Sequence, residues 1–146
     1  MGRDKKPMSK AKEKKLAAKQ EAEKRRAERA ALVKAANEAA DPLAALPSFK
    51  SFKKNGLELG METKRVADLE DHVREWLMEL LKSNMKESYE KSRLGWNEKN
   101  MAEEMYDDPA WYLVAREGSG NPVAFAHFRY EMDHDDEVLY VYEIQG

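Results

Sequence analysis

Glu143 is the residue whose type and surroundings best suit it to chemistry. It stands in the run Glu137–Gln145, the most strand-like stretch of the chain, between Tyr142 and Ile144. A lone carboxylate there carries a desolvation cost unless it is paired or opens on a cleft. Burial raises a carboxylate's pKa and makes it a usable general base near neutrality. Tyr140 and Tyr142 are two residues apart on one strand face with Val138 and Ile144, each an apolar ring with a hydroxyl tip. Beside a buried glutamate they are candidates to line a groove. The plainer readings, a strand-end carboxylate reaching solvent and two core tyrosines, stay open. Glu131, Asp133, Asp135, Asp136 and Glu137 cluster around His134. Oxygen ligands suit Ca²⁺ or Mg²⁺, but the spacing fits no metal-loop pattern. A solvated turn, or a receptor for a cationic peptide, are the alternatives. His127 reads as a satisfied mid-strand residue. The absence of cysteine removes disulfides, thiolate nucleophiles and Cys-based metal sites.

These side chains need a scaffold. Both faces of the final run are largely apolar, which predicts a strand covered on both sides at the centre of a sheet. Before it, the pattern predicts a strand over Trp111–Glu117, a hairpin turn at Gly118–Asn121, a strand from Pro122 to about Tyr130, and a polar link over Glu131–Asp136. Leu57, Leu59 and Met61 alternate after the turn signal Asn55-Gly56 and predict an earlier strand. Between these strands Leu69, Val73, Trp76, Leu77, Leu80, Leu81 and Met85 mark one face of a helix with Asp68 as N-cap. That face must pack on something broad, such as a sheet. Tyr89–Trp96 reads as a loop. A shorter helix follows from Trp96 or Asn97 to about Asp107-Asp108-Pro109. The fold class is therefore α+β, in the order strand, helix, helix and three strands, antiparallel where hairpins join it.

Charge is distributed unevenly along the chain. The net charge is only −2, yet residues 1–34 hold 13 Lys/Arg against 5 Asp/Glu, leaving 13 against 23 in residues 35–146. An acidic body favours a cationic partner and rejects polyanions. The basic arm has three candidate partners: nucleic acid, an import receptor or the body itself. Its residues from Ser9 to about Ala40 are mostly Ala, Lys, Glu and Arg and predict a solvated helix, docked on the body near Leu32 and Val33. Residues 1–8 predict no fixed structure. Asp41-Pro42 ends the helix, giving an arm over 1–40, a connector over 41–56 and a body over 57–146. No apolar run approaches the roughly 20 residues that cross a bilayer.

The words MGR followed by SKAKEKK, DPLAALPSFK, NGLELGMETKRV, NMKESYEKS with GW, DDPAWYLVARE, PVAFAHFRYE and DEVLYVYEIQ, taken in order, resemble the histone-specific N-alpha-acetyltransferase (NatD) family within the GNAT acetyltransferase superfamily. The resemblance spans essentially the whole chain. It implies a GNAT fold and an acyltransferase that acetylates the N-terminal amine of core histones beginning Ser-Gly-Arg-Gly, with acetyl-CoA as co-substrate, in nucleus and cytoplasm. It implies that Glu143 is the general base, that Tyr89, Tyr140 and Tyr142 contact the substrate, and that Glu131 and Asp133 receive the substrate arginine. A tryptophan of the family's pocket falls on Leu94, a departure, although Trp96 remains beside it. A second departure concerns the co-substrate. The family follows the strand equivalent to Val138–Gln145 with an Arg/Gln-x-x-Gly-x-Gly/Ala loop opening a helix, whose N–H groups cradle pyrophosphate. These 146 residues carry no such loop after Gln145. The expectation is an incomplete GNAT domain from a C-terminally truncated form, with no cofactor-binding residues. It should transfer little acetyl by itself and leave an exposed edge strand. A non-catalytic chain that binds histone tails or another partner is the alternative.

Overall fold

The structure is a computed structural model, and it describes residues 7–146. The expectation of no fixed structure at the N-terminus falls mainly on residues 1–6, outside the described residues. The fold is α+β: a long N-terminal helix, two further helices and one five-stranded antiparallel sheet.

Helix α1 runs Lys10–Glu38, capped by Ser9, whose hydroxyl accepts from the Lys12 N–H at 3.2 Å. Alanine and long charged side chains hold this helix by propensity, because it has no buried residue. Its C-terminal third docks through a stripe at helical spacing: Arg29, Val33, Ala36 and Asn37 are half-buried. Leu32 borders the same seam and stays 59% exposed, so Val33 is the more deeply placed of the two. Among the acidic residues, the body itself is a partner of the arm. Arg29 pairs with Asp136 and with Glu137 at 3.5 Å and donates to the Asp135 carbonyl at 2.9 Å, while Arg26 approaches Asp135 at 3.8 Å. Each exposed pair contributes little on its own. Because Arg29 makes three such contacts, Arg29→Ala is expected to speed amide exchange over residues 33–38 by about tenfold, the equivalent of ~1.4 kcal/mol. Hydrogen–deuterium exchange read by mass spectrometry checks it.

After α1 the connector folds onto the sheet through one carboxylate. Asp41 accepts from the Leu43 N–H at 3.0 Å, from Lys50 at 2.8 Å and from the Thr63 hydroxyl at 3.1 Å. The Lys50 ammonium holds its carboxyl below the usual range. Two short 3-10 turns, Pro42–Ala45 and Pro47–Lys50, complete the connector.

The strands are β1 (Ser51–Lys54), β2 (Leu57–Arg65), β3 (Trp111–Arg116), β4 (Pro122–Asp133) and β5 (Asp136–Gln145), paired in that order. Asn55 and Gly56 both have positive φ, 52° and 80°, which makes the two-residue turn whose twist suits a hairpin. Strand β1 answers that turn, although Ser-Phe-Lys-Lys shows no burial pattern to announce it. Helix α2 runs Asp71–Lys91. Asp68 is not its cap: it closes a 3-10 turn over Val66–Asp68, and Glu70 precedes the helix. Tyr89 lies on the last turn of α2 and not in a loop. Helix α3, Glu98–Met105, begins at the Asn97 cap as its sequence predicts, with the Asn97 side chain accepting from the Asn100 N–H.

Val73, Leu77 and Leu81 of α2 and Met105 of α3 pack with Tyr112, Val114 and Phe125 to form the core on one face of the sheet. Trp76 meets Phe125 edge-on at 5.7 Å, a core role. Helix α1 and the connector cover part of the opposite face, where Trp111 stacks on Phe128 and its indole N–H donates to Asn37 at 3.0 Å. Two expectations about the last strands are corrected. Strand β4 continues through Glu131 to Asp133, so these residues belong to a strand and only a tight turn with His134 at φ 56° remains of the polar link. Strand β5 is not central. Among the described residues it pairs only with β4, and Leu139, Val141 and Ile144 lie exposed, Ile144 at 72%.

Candidate functional site

A bulge positions the candidate residues. Along the β4–β5 ladder His127 opposes Glu143, but Phe128 opposes Val141, so Tyr142 is an extra residue in β5. Strict alternation would put Glu143 on the face opposite Tyr140 and Tyr142. A bulge instead sets two successive side chains on one side. Tyr140 opposes Arg129 and Glu143 opposes His127, on the sheet face that carries α2 and α3. Tyr142 joins them there, stacked on His127 with centroids 4.9 Å apart and meeting Tyr140 edge-on at 5.1 Å. Ile144 is turned to the other face, at a part that α1 and the connector leave open.

Glu131 and Tyr142 are joined directly: the phenol donates to the two carboxylate oxygens at 2.9 and 3.0 Å. Desolvation, and then the Glu131 carboxylate, push the Tyr142 phenol above its ordinary pKa. Glu143 accepts a hydrogen bond from the Gln145 amide, and Gln145 in turn accepts from Asn84 of α2 at 2.9 Å. The general-base candidate is thus tied through one glutamine to the helix that covers the sheet. Asp133 shares the parity of Glu131 on β4 and is exposed, with His134 at 3.8 Å. Asp135, Asp136 and Glu137 are engaged by α1, so Glu131 and Asp133 are the members of the acidic cluster that α1 leaves on the site side.

Tyr89 is not brought to this group by any ring contact or hydrogen bond among the described residues. Its ring lies 6.0 Å from Trp96, in the segment between α2 and α3. It stands five residues beyond Asn84 on α2, toward the end of the site that Glu143 occupies. Leu94, where the resemblance expects a tryptophan, is 82% exposed and lines nothing.

Two more residues stand at this site: Arg129, which its type alone does not mark, and His127, whose sequence reading as a satisfied mid-strand residue fails at Nδ1, buried without a partner. His127 is fully buried and stacked between Tyr112 and Tyr142, each at 4.9 Å. Burial, and then the neighbouring Arg129, push it down to about 4, so it is neutral. Arg129 is buried and lies over the Tyr142 ring at 4.4 Å. A signal for both exists in the sequence. At period two, Phe125, His127, Arg129, Glu131 and Asp133 form one stripe of β4, and Ala124, Ala126, Phe128, Tyr130 and Met132 the other. The stripe that faces the helices is the polar one, which is the wrong way round for a core strand and the right way round for a site.

Among the described residues no cluster of three or more His, Asp or Glu is arranged to hold a metal ion, and no helix is long and apolar enough to cross a membrane. A pyrophosphate cradle is not present among them either. Gly118 and Gly120 turn a hairpin into a strand, and Gly95 stands alone before a helix whose first residue is Glu98. No protein-family model matches the sequence.

Proposed function

We propose that this chain carries the acceptor side of a histone N-alpha-acetyltransferase: a groove for a free amino terminus followed within three residues by an arginine. The carrying observation is the β5 bulge, which sets Glu143, Tyr140 and Tyr142 on one face with Glu131. A protonated amino terminus is not a nucleophile, so it must give up a proton before it can attack a carbonyl, directly or through water. Glu143 is the carboxylate at hand. Tyr140 and Tyr142 offer apolar walls with hydroxyl tips, suited to small first residues and their backbone. Glu131 and Asp133 offer a paired negative charge to a guanidinium, whose fork two carboxylates can meet. The GNAT reading of the fold, the nuclear and cytoplasmic location, and acetyl-CoA as donor enter from the sequence resemblance. A second reading, a chain that holds a histone tail without transferring acetyl, rests on the same group of residues.

Titration calorimetry of the purified chain with a Ser-Gly-Arg-Gly-headed peptide tests the acceptor site. The expected result is measurable binding that weakens roughly tenfold or more when the peptide's amine is acetylated, when its arginine becomes alanine, or in Glu131→Gln/Asp133→Asn protein, as loss of a charge-assisted pair requires. Equal binding of free and acetylated peptides would overturn the reading. Acetyl transfer measured in parallel separates the enzyme from the tail binder.

A further inference from the structure

We propose that Arg129 is a positioning residue for this site: held by His127 and by the end of α3, its guanidinium fixes the Tyr142 ring so that the phenol meets Glu131. Every nitrogen of Arg129 is engaged. Nε donates to His127 Nε2 at 3.2 Å, Nη1 to Asp107 at 3.0 Å and Nη2 to the Glu104 carbonyl at 2.8 Å. Its face is given to the Tyr142 ring. One N–H of each nitrogen is taken and the side chain is buried, so Arg129 serves contacts within the protein and is not offered to a substrate. What it does is connect three elements: the end of α3, the middle of β4 and the bulged residue of β5. A lysine cannot do this, because it presents one point charge and no planar fork.

His127 supports the same conclusion. Because Nε2 accepts from Arg129, the proton of the neutral ring sits on Nδ1. That atom is buried and has no partner. An unpaired buried donor is costly, and an aromatic hydrocarbon ring would fill the space more cheaply. The neighbouring Tyr112 shows how this core satisfies a polar atom when it needs to, its hydroxyl donating to the Met105 carbonyl at 2.6 Å. His127 carries an unsatisfied atom and in return gives Arg129 an acceptor and Tyr142 a stacking surface. A bulge is a place where a strand residue can swing, and both contacts fall on the bulged residue. With the ring fixed, the phenol in turn fixes Glu131, one of the two carboxylates offered to a substrate arginine. Arg129 therefore acts on peptide affinity through Tyr142, and not on proton abstraction by Glu143. The functional half of this proposal rests on the acceptor-site reading; the structural half does not.

The test uses the full chain labelled with ¹³C-tyrosine, with Tyr142 assigned by Tyr142→Phe. In Arg129→Lys and His127→Asn the Tyr142 ring resonances are expected to move toward those of exposed tyrosines, while amide protection across β4–β5 persists. Unchanged resonances in both variants would overturn the proposal. Glu131→Gln leaves every Arg129 contact in place, so it keeps the question open to a decision should Arg129→Lys fail to fold. The ring should hold its position in Glu131→Gln, and displacement there would show that Glu131 does the holding. For the functional half, Arg129→Lys and Tyr142→Phe should each weaken Ser-Gly-Arg-Gly peptide binding roughly tenfold, and the double variant no more than Tyr142→Phe alone. Additive losses would refute it. If the parent chain binds no such peptide, the acceptor-site reading fails while the ring resonances still decide whether Arg129 positions Tyr142.

Discussion

Trp111→Ala is expected to destabilise the protein by about 3–5 kcal/mol, the range for emptying a buried aromatic site, and to detach α1 from the sheet. Trp111 is buried at the start of β3, the central strand of the five. Its ring stacks on Phe128 at 6.2 Å, meets Tyr130 edge-on at 6.1 Å and carries the Arg65 guanidinium at 5.5 Å. Its N–H donates to Asn37, and Asn37 also receives Arg65 at its carbonyl, at 2.7 Å, and donates to the Tyr130 carbonyl at 3.3 Å. One asparagine at the end of α1 thus joins β2, β3 and β4, and the tryptophan is the apolar floor beneath it. Alanine would leave a cavity and strand Asn37. A domain of this size has about 5–15 kcal/mol in total, so the variant should melt far below the parent or not fold at all. Asn37→Ala, which keeps the floor, separates the two effects: it should free α1, seen as lost exchange protection over residues 33–38, at a cost of about 1–3 kcal/mol. A Trp111→Ala protein that melts within a few degrees of the parent would show that the sheet does not depend on this face.

Acidification should destabilise the protein before most carboxylates titrate, and His127 is the cause. Its folded-state pKa, about 4, is below the ordinary value of 6.5. The unfolded chain therefore binds the proton first. The stability that comes from burying a neutral ring is fully present above about pH 6.5, falls as pH drops through the window between 6.5 and 4, and is lost below it. A shift of this size corresponds to about 3 kcal/mol in all, at roughly 1.4 kcal/mol per pH unit. The charged and titratable groups that face His127 are Arg129 on its own strand, Tyr112 on β3, Tyr142 and Glu143 on β5, and Asp107 at the end of α3. Arg129 opposes protonation and Asp107 favours it. Protonation at Nε2 would also eject the Arg129 donor, so Tyr142 should loosen in the same window. Urea melts at half-unit steps between pH 7.5 and 5 should show the slope in the parent and flatten it in His127→Asn. An equal slope in both would assign the effect elsewhere.

Much of this fold was legible because its strongest signals are local. The face Val73–Leu77–Leu81 repeats at helical spacing, and Asn55-Gly56 and Gly118–Asn121 are made of the residues that turns favour. The first strand, Ser51–Lys54, was not legible, since it is formed by its partner across the turn and has no burial pattern of its own. The end of β4 looks like a link in sequence because Glu131 and Asp133 are charged, yet pairing with β5 holds them extended. The site was legible in part. Glu143, Tyr140, Tyr142 and Glu131 come together, but the bulge that unites them leaves no mark in a period-two pattern, since an added residue looks like one more step of the alternation. Arg129 was hidden for a different reason. A buried arginine is recognised by what surrounds it, and Glu104, Asp107 and Tyr142 are distant in sequence.

The bulge also bears on what the sheet could do without. Deleting Tyr142 would leave Val141 opposite Phe128 and Glu143 opposite His127, with every other pair in β5 as it was. The ladder would become regular and no side chain would change face. Removing a residue elsewhere in β5 would shift the frame of everything on one side of it. Tyr142 and Glu143 are two residues where strand pairing calls for one, and it is Tyr142 whose loss spares the carboxylate. A chain shortened by this single residue would separate the cost of making the strand from the cost of furnishing the groove.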